Sequence, residues 1–305
     1  MPPLGLDLRF GLGSQRGGGI SLLPETKAYI AAMPNNTFTA DDIKAINVFI
    51  QTLIAEQIWD EIDQYYLLCG KTSVRAETLV NMKYPTATAA TDPTQDPKHS
   101  MAQRIGAGAL TYDSGVGWIT NNGAAKLTSY FLPTAATSAD GTHKFGALDG
   151  HIHVFCQNDI AYSTTAFAVS ENTTFRYSLL PKRSATEVRF RFGSTTNISK
   201  ALESGFNSKG VYLMGANTET PNNKHLRKAV LVAGAPSVST IVSVSNAIGE
   251  YPTDPITVFY YYNSVDAFYA GYIGGYSIGG GLTASQSVAY CTALATLYKA
   301  LGALT

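Results

Sequence analysis

Between residues 104 and 280 the chain is cut every few residues by Gly, Asn, Asp or Pro. Between these cuts stand about ten apolar runs, mostly of five to eight residues. The clearest are Lys126–Leu132, His151–Gln157, Thr173–Leu180, Glu187–Phe192, Gly210–Gly215, Lys228–Ala233, Val238–Val244, Ile256–Tyr262 and Phe268–Ile278. Runs this short suit strands and are too brief for helices, and no long helical pattern intervenes, which points to an antiparallel β-sandwich. Glu187–Phe192 is the sharpest case: Val188, Phe190 and Phe192 fall on one face, and Glu187, Arg189 and Arg191 on the other.

The flanks read differently. In residues 1–22 an alternating strip (Leu6, Leu8 and Phe10 around Asp7 and Arg9) precedes Gly11, Gly13 and Gly17–Gly19. Such a strip on a glycine hinge suits strand addition to a neighbour, so Leu6, Leu8 and Phe10 are the candidate docking residues. Residues 23–85 read as a helical attachment module. Pro24 fits a first helical turn, Thr39 caps a second helix with Asp41 and Asp42 behind it, and Ile43, Ile46, Ile50, Leu53 and Ile54 fall at helical spacing. The same spacing, continued through Ile58, Trp59, Ile62, Tyr65 and Tyr66, predicts helix as far as residue 68, with a third short helix over Ser73–Met82. Residues 86–103, rich in Thr, Ala and Pro, read as a loop, and 104–305 as the sandwich. The sandwich is closed by a helix whose start is marked by the Thr283-Ala-Ser-Gln286 capping box, with Val288, Cys291, Leu294, Tyr298 and Leu301 on its buried face.

Composition narrows the partners. Only 14% of residues are charged, against about a quarter in an average domain, so the surface must be covered by Ser, Thr, Asn and Gly. The net charge is zero, and the densest basic stretch (Lys182, Arg183, Arg189, Arg191) is split between a turn and a strand face; nucleic acid is not an expected partner. Leu6–Phe10 is too short and too charged for a secretory leader, and no run of about 18 apolar residues would span a membrane. The three cysteines are widely spaced, and Cys156 and Cys291 sit on apolar faces as small hydrophobes.

Few residues suggest chemistry. His151 and His153 have the spacing of a strand-borne metal pair, but Gln157 and Asn158 stand where a third ligand would be needed. Alternation places Ile152, Val154 and Cys156 inward and both histidines outward. Asp149 and Asp159 flank the same strand in turn-like sequence. No nucleophile-elbow, zincin or phosphate-loop pattern occurs, so neither cofactor nor enzymatic activity is expected. Tyrosine is abundant, 18 against two tryptophans, and Tyr260, Tyr261, Tyr262, Tyr269, Tyr272 and Tyr276 cluster near the C-terminal strands. Tyr offers rigid area and a hydroxyl, which makes Tyr260, Tyr262, Tyr269 and Tyr272 candidates for an interface or for glycan contact.

Three segments carry a resemblance: Ala55–Trp59, Val211–Asn217 and, most specifically, Ala267–Gln286, where a strand ending Ile278-Gly-Gly-Gly-Leu-Thr283 runs into the capped helix. In these the chain resembles tailed-bacteriophage virion structural proteins of the tail-fibre, head-fibre or capsid-decoration type. The resemblance implies a concanavalin-like jelly-roll sandwich, docking on capsid or tail proteins, location in the virion, and homo-oligomeric assembly, a trimer being one form such appendages take. It implies no catalytic residue. A host-glycan-binding module and a sandwich-fold glycan hydrolase are the rival expectations, the latter requiring two carboxylates roughly 5–10 Å apart.

Overall fold

The computed structural model describes residues 21–86, 102–104, 110–120, 126–129, 131, 144–145, 149–159, 169–170, 176–194, 197–216, 219, 223–245, 256–258 and 271–305. Leu6, Leu8, Phe10 and most of the 86–103 loop lie outside these residues, as do Tyr260, Tyr262 and Tyr269.

Helix α1 (Pro24–Ala31) carries its proline in the first turn. Helix α2 (Ala40–Ala55) opens on a reciprocal cap: Asp42 N donates to Thr39 Oγ1 (3.2 Å) and Thr39 N to Asp42 Oδ2 (2.8 Å). The helix stops earlier than its spacing predicts. Gln57 takes a left-handed conformation (φ 56°), a single 3-10 turn follows at Trp59–Glu61, and Ile62–Tyr66 is a strand, β1. The helical expectation for 62–66 is therefore wrong, and the cause is tertiary. All five residues of β1 are buried, which a strand inside a covered sheet permits and a helix lying on a core does not. The short helix expected over Ser73–Met82 is reduced to a 3-10 turn at Arg75–Leu79.

Among the described residues three antiparallel sheets follow. Two small ones form one layer. The first is β2 (Ala102–Arg104), β5 (Lys126–Thr128), β14 (Ile256–Val258) and β7 (Val169–Ser170) in that spatial order. The second is β10 (Ile198–Ala201), β9 (Glu187–Ser194) and β8 (Arg176–Ser184). The main sheet has eight strands. Its order runs β13 (Ala235–Ser245), β12 (Asn223–Val232), β11 (Gly210–Ala216), β6 (Gly150–Cys156), β15 (Ile273–Gly279), β4 (Gly117–Thr120) and β3 (Leu110–Asp113). Strand β1 shares the outer side of β15 with β4, pairing with Tyr276–Gly279 while β4 meets Ile273. Mainly β, antiparallel and layered, this is the sandwich expected from the alternating runs.

One face of the main sheet meets the smaller sheets. Ile152, Val154, Cys156, Tyr212, Met214, Tyr276 and Ile278 pack there with Phe145, Tyr177, Val188, Phe190 and Phe192. The alternation of β9 is as the sequence predicts, Val188, Phe190 and Phe192 being buried. The opposite face is covered by helices. Phe155, Val211, Leu213 and Tyr65 pack there with α2 residues Ile46, Phe49, Ile50 and Leu53 and with helix α3 (Ala284–Ala300). Both halves of the predicted capping box are formed at Thr283 and Gln286 (3.0 and 3.1 Å). Cys291, Leu294, Tyr298 and Leu301 are buried as expected, but Val288 is 39% exposed, and the covered stripe begins at Ser287 instead. All three cysteines are free and buried; burial pushes the Cys69 and Cys291 thiols up to about 12. Among the described residues no helix is long and apolar enough to cross a membrane.

Candidate functional site

The helical cover reverses the expected orientation of the histidine pair. Strand β6 has buried residues at every position, with His151 at 1% and His153 at 0% exposure. Alternation does put Ile152, Val154 and Cys156 toward the sandwich, but the other face looks onto helices and not onto water. The reading of both histidines as outward on a polar face is wrong because it assumed one wet face.

His153 is the centre of a buried polar chain. Its Nε2 lies 3.2 Å from Tyr298 Oη, which lies 3.2 Å from Tyr65 Oη; its Nδ1 lies 3.0 Å from Ser277 Oγ, which lies 2.7 Å from Tyr290 Oη. Five side chains from β1, β6, β15 and α3 are thereby joined, and all five are fully buried. Desolvation, with His151 nearby, holds the His153 imidazole well below its ordinary range, so it is neutral and has one donor and one acceptor nitrogen. Each tautomer sets the direction of every hydroxyl along the chain. Burial drives the three tyrosine hydroxyls above their ordinary range.

Two glycines make room for this contact. A Cβ on Gly275 would collide with the Tyr298 hydroxyl, and one on Gly279 with the Glu61 carbonyl and the His151 ring. The strand register also shifts between Ile273 and Gly275, so the glycine run serves a bulge, as its sequence suggests.

His151 is held separately. Its Nδ1 lies 2.6 Å from the Gly280 carbonyl, so this nitrogen carries the hydrogen. Burial lowers the imidazole to about 4, and its Nε2 is buried without a partner. The pairing of β6, β11 and β12 places Gly215 between His151 and His225 in one cross-strand row. His225 is likewise lowered to about 4 by burial, and its Nε2 and Arg227 Nε are also buried without partners. Among the described residues no three His, Cys, Asp or Glu side chains are grouped to hold a metal ion.

The carboxylates have structural partners. Asp149 and Asp159 stand at opposite ends of β6, roughly 30 Å apart at about 3.3 Å per residue, too far to share a glycosidic bond. Asp159 accepts Ser208 N (2.6 Å), Ser208 Oγ (2.7 Å) and Lys182 Nζ (3.4 Å), which hold it below its usual range against desolvation. Asp63, which sequence reasoning missed, is 3% exposed and accepts the backbone amides of Lys144 and Phe145 at 2.9 Å each. Burial raises it to about 6, against those two hydrogen bonds and with a small push from Glu61. Only the two-residue offset from Glu61, one acid before a buried strand, could have signalled it.

The outer face of β9 is polar and half-buried. Arg189 Nε and Nη2 donate to Glu187 Oε1 (3.1 and 2.9 Å), Ser199 Oγ reaches the same oxygen (2.5 Å), and Arg183 lies 3.8 Å from Glu187 Oε2. Arg191 Nε donates to Asn197 Oδ1 at 2.6 Å. Of the basic stretch seen in the sequence, Arg183, Arg189 and Arg191 thus line this face of β8–β10, while Lys182 turns to Asp159. Of the tyrosine candidates only Tyr272 is described. It is half-buried, its amide donating to Asn158 Oδ1 (2.7 Å) and its carbonyl accepting from Gln157 N (3.0 Å). Tyr276, from the same cluster in the sequence, is fully buried.

No family model and no curated protein matches the chain. Among solved structures it is similar to domain 4 of a GH43 extracellular arabinanase from Geobacillus stearothermophilus in complex with arabinotriose: TM-score 0.41, 12% identity, over 76% of this chain and 98% of that one. It is also similar to the enzymatically active domain of bacteriophage CBA120 tailspike protein 2 (TM-score 0.40, 14% identity, 75% of this chain, 36% of that one). A third is a Trypanosoma rangeli sialidase mutant displaying trans-sialidase activity (0.41, 10%, 84% and 39%). The chain thus spans under two fifths of the tailspike's and the sialidase's own length, and at these identities the likeness is one of fold. These findings correct one expectation. With structures of glycan-active enzymes among those it is similar to, the absence of a catalytic motif does not make this chain a non-enzyme.

Proposed function

We propose that this chain is a surface component of a tailed-phage virion, of fibre or decoration type, that attaches through its N-terminal region and presents the sandwich outward. The observation that supports this best is the uninterrupted passage from β15 into the capped helix α3, the arrangement on which the resemblance of Ala267–Gln286 rests. Helices α1 and α2 lie on the same side of the main sheet as α3, away from the two small sheets, so attachment and presentation fall on opposite faces. Its partners are capsid or tail proteins and further copies of itself. Electron microscopy of particles carrying a tag on this chain should place density on the surface. A version lacking residues 1–22 should fail to incorporate; normal incorporation would remove the docking role of Leu6, Leu8 and Phe10.

A second reading, recognition of a host glycan, is favoured by the ladder of Glu187, Arg189, Ser199, Asn197 and Arg191, a preorganised set of donors and acceptors on the outward face. Tyr260, Tyr262, Tyr269 and Tyr272 are the stacking candidates for the same ligand. A glycan array with a parallel assay for released sugar tests it. Binding lost in Arg189→Ala supports recognition, release of product extends it to cleavage, and no signal in either assay leaves decoration alone.

A further inference from the structure

Strand β13 ends the main sheet. Its inner side pairs with β12 from Ala235 to Ser245, and among the described residues nothing pairs with its outer side. An unpaired edge offers a row of backbone donors and acceptors, which natural sheets blunt with charges, prolines or bulges. The eleven residues of β13 carry no charge at all. Two blunting devices remain: Pro236 near its start, and the register shift opposite Leu226/Arg227 that makes Ile241 an extra residue. Between them Ser237–Thr240 is a straight, uncharged stretch, with Ser237, Ser239 and Thr240 exposed. Such an edge refuses a long strand and admits a short one.

The chain supplies a short strand of matching character. Leu6–Phe10 is five residues long with apolar residues at alternate positions, and glycines stand at 11, 13 and 17–19. Pro236 and Val238 lie on the helix-facing side of β13, where they oppose Leu231 and Ala229, and Val238 packs against the helical core cluster. A strand added there with Leu6, Leu8 and Phe10 on the same side would extend that apolar surface and leave Asp7 and Arg9 toward solvent. We infer that the outer edge of β13 between Pro236 and Ile241 is the docking site for Leu6–Phe10 of a second copy of this chain, by strand addition. This rests on the docking role proposed above for the arm. Particle incorporation tests that role and measurements on the purified chain test the edge, so the two can fail separately.

The test uses the full chain. Leu8→Cys is combined in turn with Ser237→Cys and Ser239→Cys, and with Ser199→Cys on the opposite layer as control; the native cysteines are buried. Under mild oxidation at least one edge pair should crosslink several-fold faster than the control and between two chains; a crosslink confined to one chain overturns docking on a second copy. Equal rates for all three pairs, or no crosslink to the edge, overturns it. In the double variant Ser237→Lys/Ser239→Lys, whose sites are exposed, proteolysis within residues 1–20 should rise roughly ten-fold with the thermal midpoint held; unchanged proteolysis overturns it as well.

Discussion

The two faces of the main sheet are equally dry and differently built. Toward the small sheets, Phe145, Tyr177 and Phe192 meet edge to face or tilted at 4.8–6.0 Å, a packing that gains from area and shape. Toward the helices, Tyr65, His153, Ser277, Tyr290 and Tyr298 interlock through directed hydrogen bonds, with Phe155 stacked on Tyr298 at 4.1 Å. The contrast teaches that α3 is placed by direction as well as by burial. An apolar face tolerates small slides of a helix, whereas a one-residue slip of α3 would strand several buried polar atoms at once.

The comparison can be broken in steps. The largest effect is expected on the apolar face, where Phe192→Ala should cost about 3–5 kcal/mol in chemical denaturation, through lost burial and the cavity left behind. On the polar face Tyr298→Phe keeps nearly all the area but leaves His153 Nε2 and Tyr65 Oη unpartnered, a loss of about 2–4 kcal/mol. A Tyr298→Phe variant as stable as the parent would make the network decoration on a packing interface and erase the distinction.

Acid should sort the two faces. His151 and His225 sit at about 4, against 6.5 for a free imidazole, and His153 is held well below its ordinary range, all chiefly through burial. Between pH 6.5 and 4 the unfolded chain therefore binds more protons than the folded one. The contribution of these three groups is complete above pH 6.5 and drains as pH falls, by roughly 1.4 kcal/mol per pH unit per imidazole. Asp63 runs the other way. Raised from 3.8 to about 6, it stabilises the fold below 3.8 and loses that contribution as pH rises through 6. Three imidazoles outweigh the raised carboxyls of Asp63 and Asp149, so the thermal midpoint should drop between pH 6.5 and 4.5. Asp63→Asn should steepen the drop, since it removes one of the opposing groups.

The smallest effect is local. Thr283→Ala removes the acceptor of Gln286 N and should cost about 1 kcal/mol, with loss of helicity at the start of α3.

Local signals were legible in the chain. The caps at Thr39 and Thr283 and the alternation of Glu187–Phe192 need only neighbouring residues to be read, and each appears where expected. What failed depends on who the neighbour is. Ile62, Tyr65 and Tyr66 keep helical spacing yet form a strand because β15 offers them a ladder. His151 and His153 read as solvent-facing because alternation records two faces without saying what covers each. The tyrosine count pointed outward, while Tyr65, Tyr66, Tyr177, Tyr212, Tyr276, Tyr290 and Tyr298 are fully buried. The ladder on β9 was half legible: its charges were, but its partners are Ser199 from the next strand and Asn197 just before it.

The most direct test of the central claim, that helix α3 is seated by a neutral His153 bonded at both nitrogens, is nitrogen NMR of the imidazoles from pH 7.5 to 5. His153 should show one tautomer, with no titration across that range and with altered shifts in Tyr298→Phe. A His153 that titrates near 6.5 with tautomers averaging as in free imidazole would contradict it.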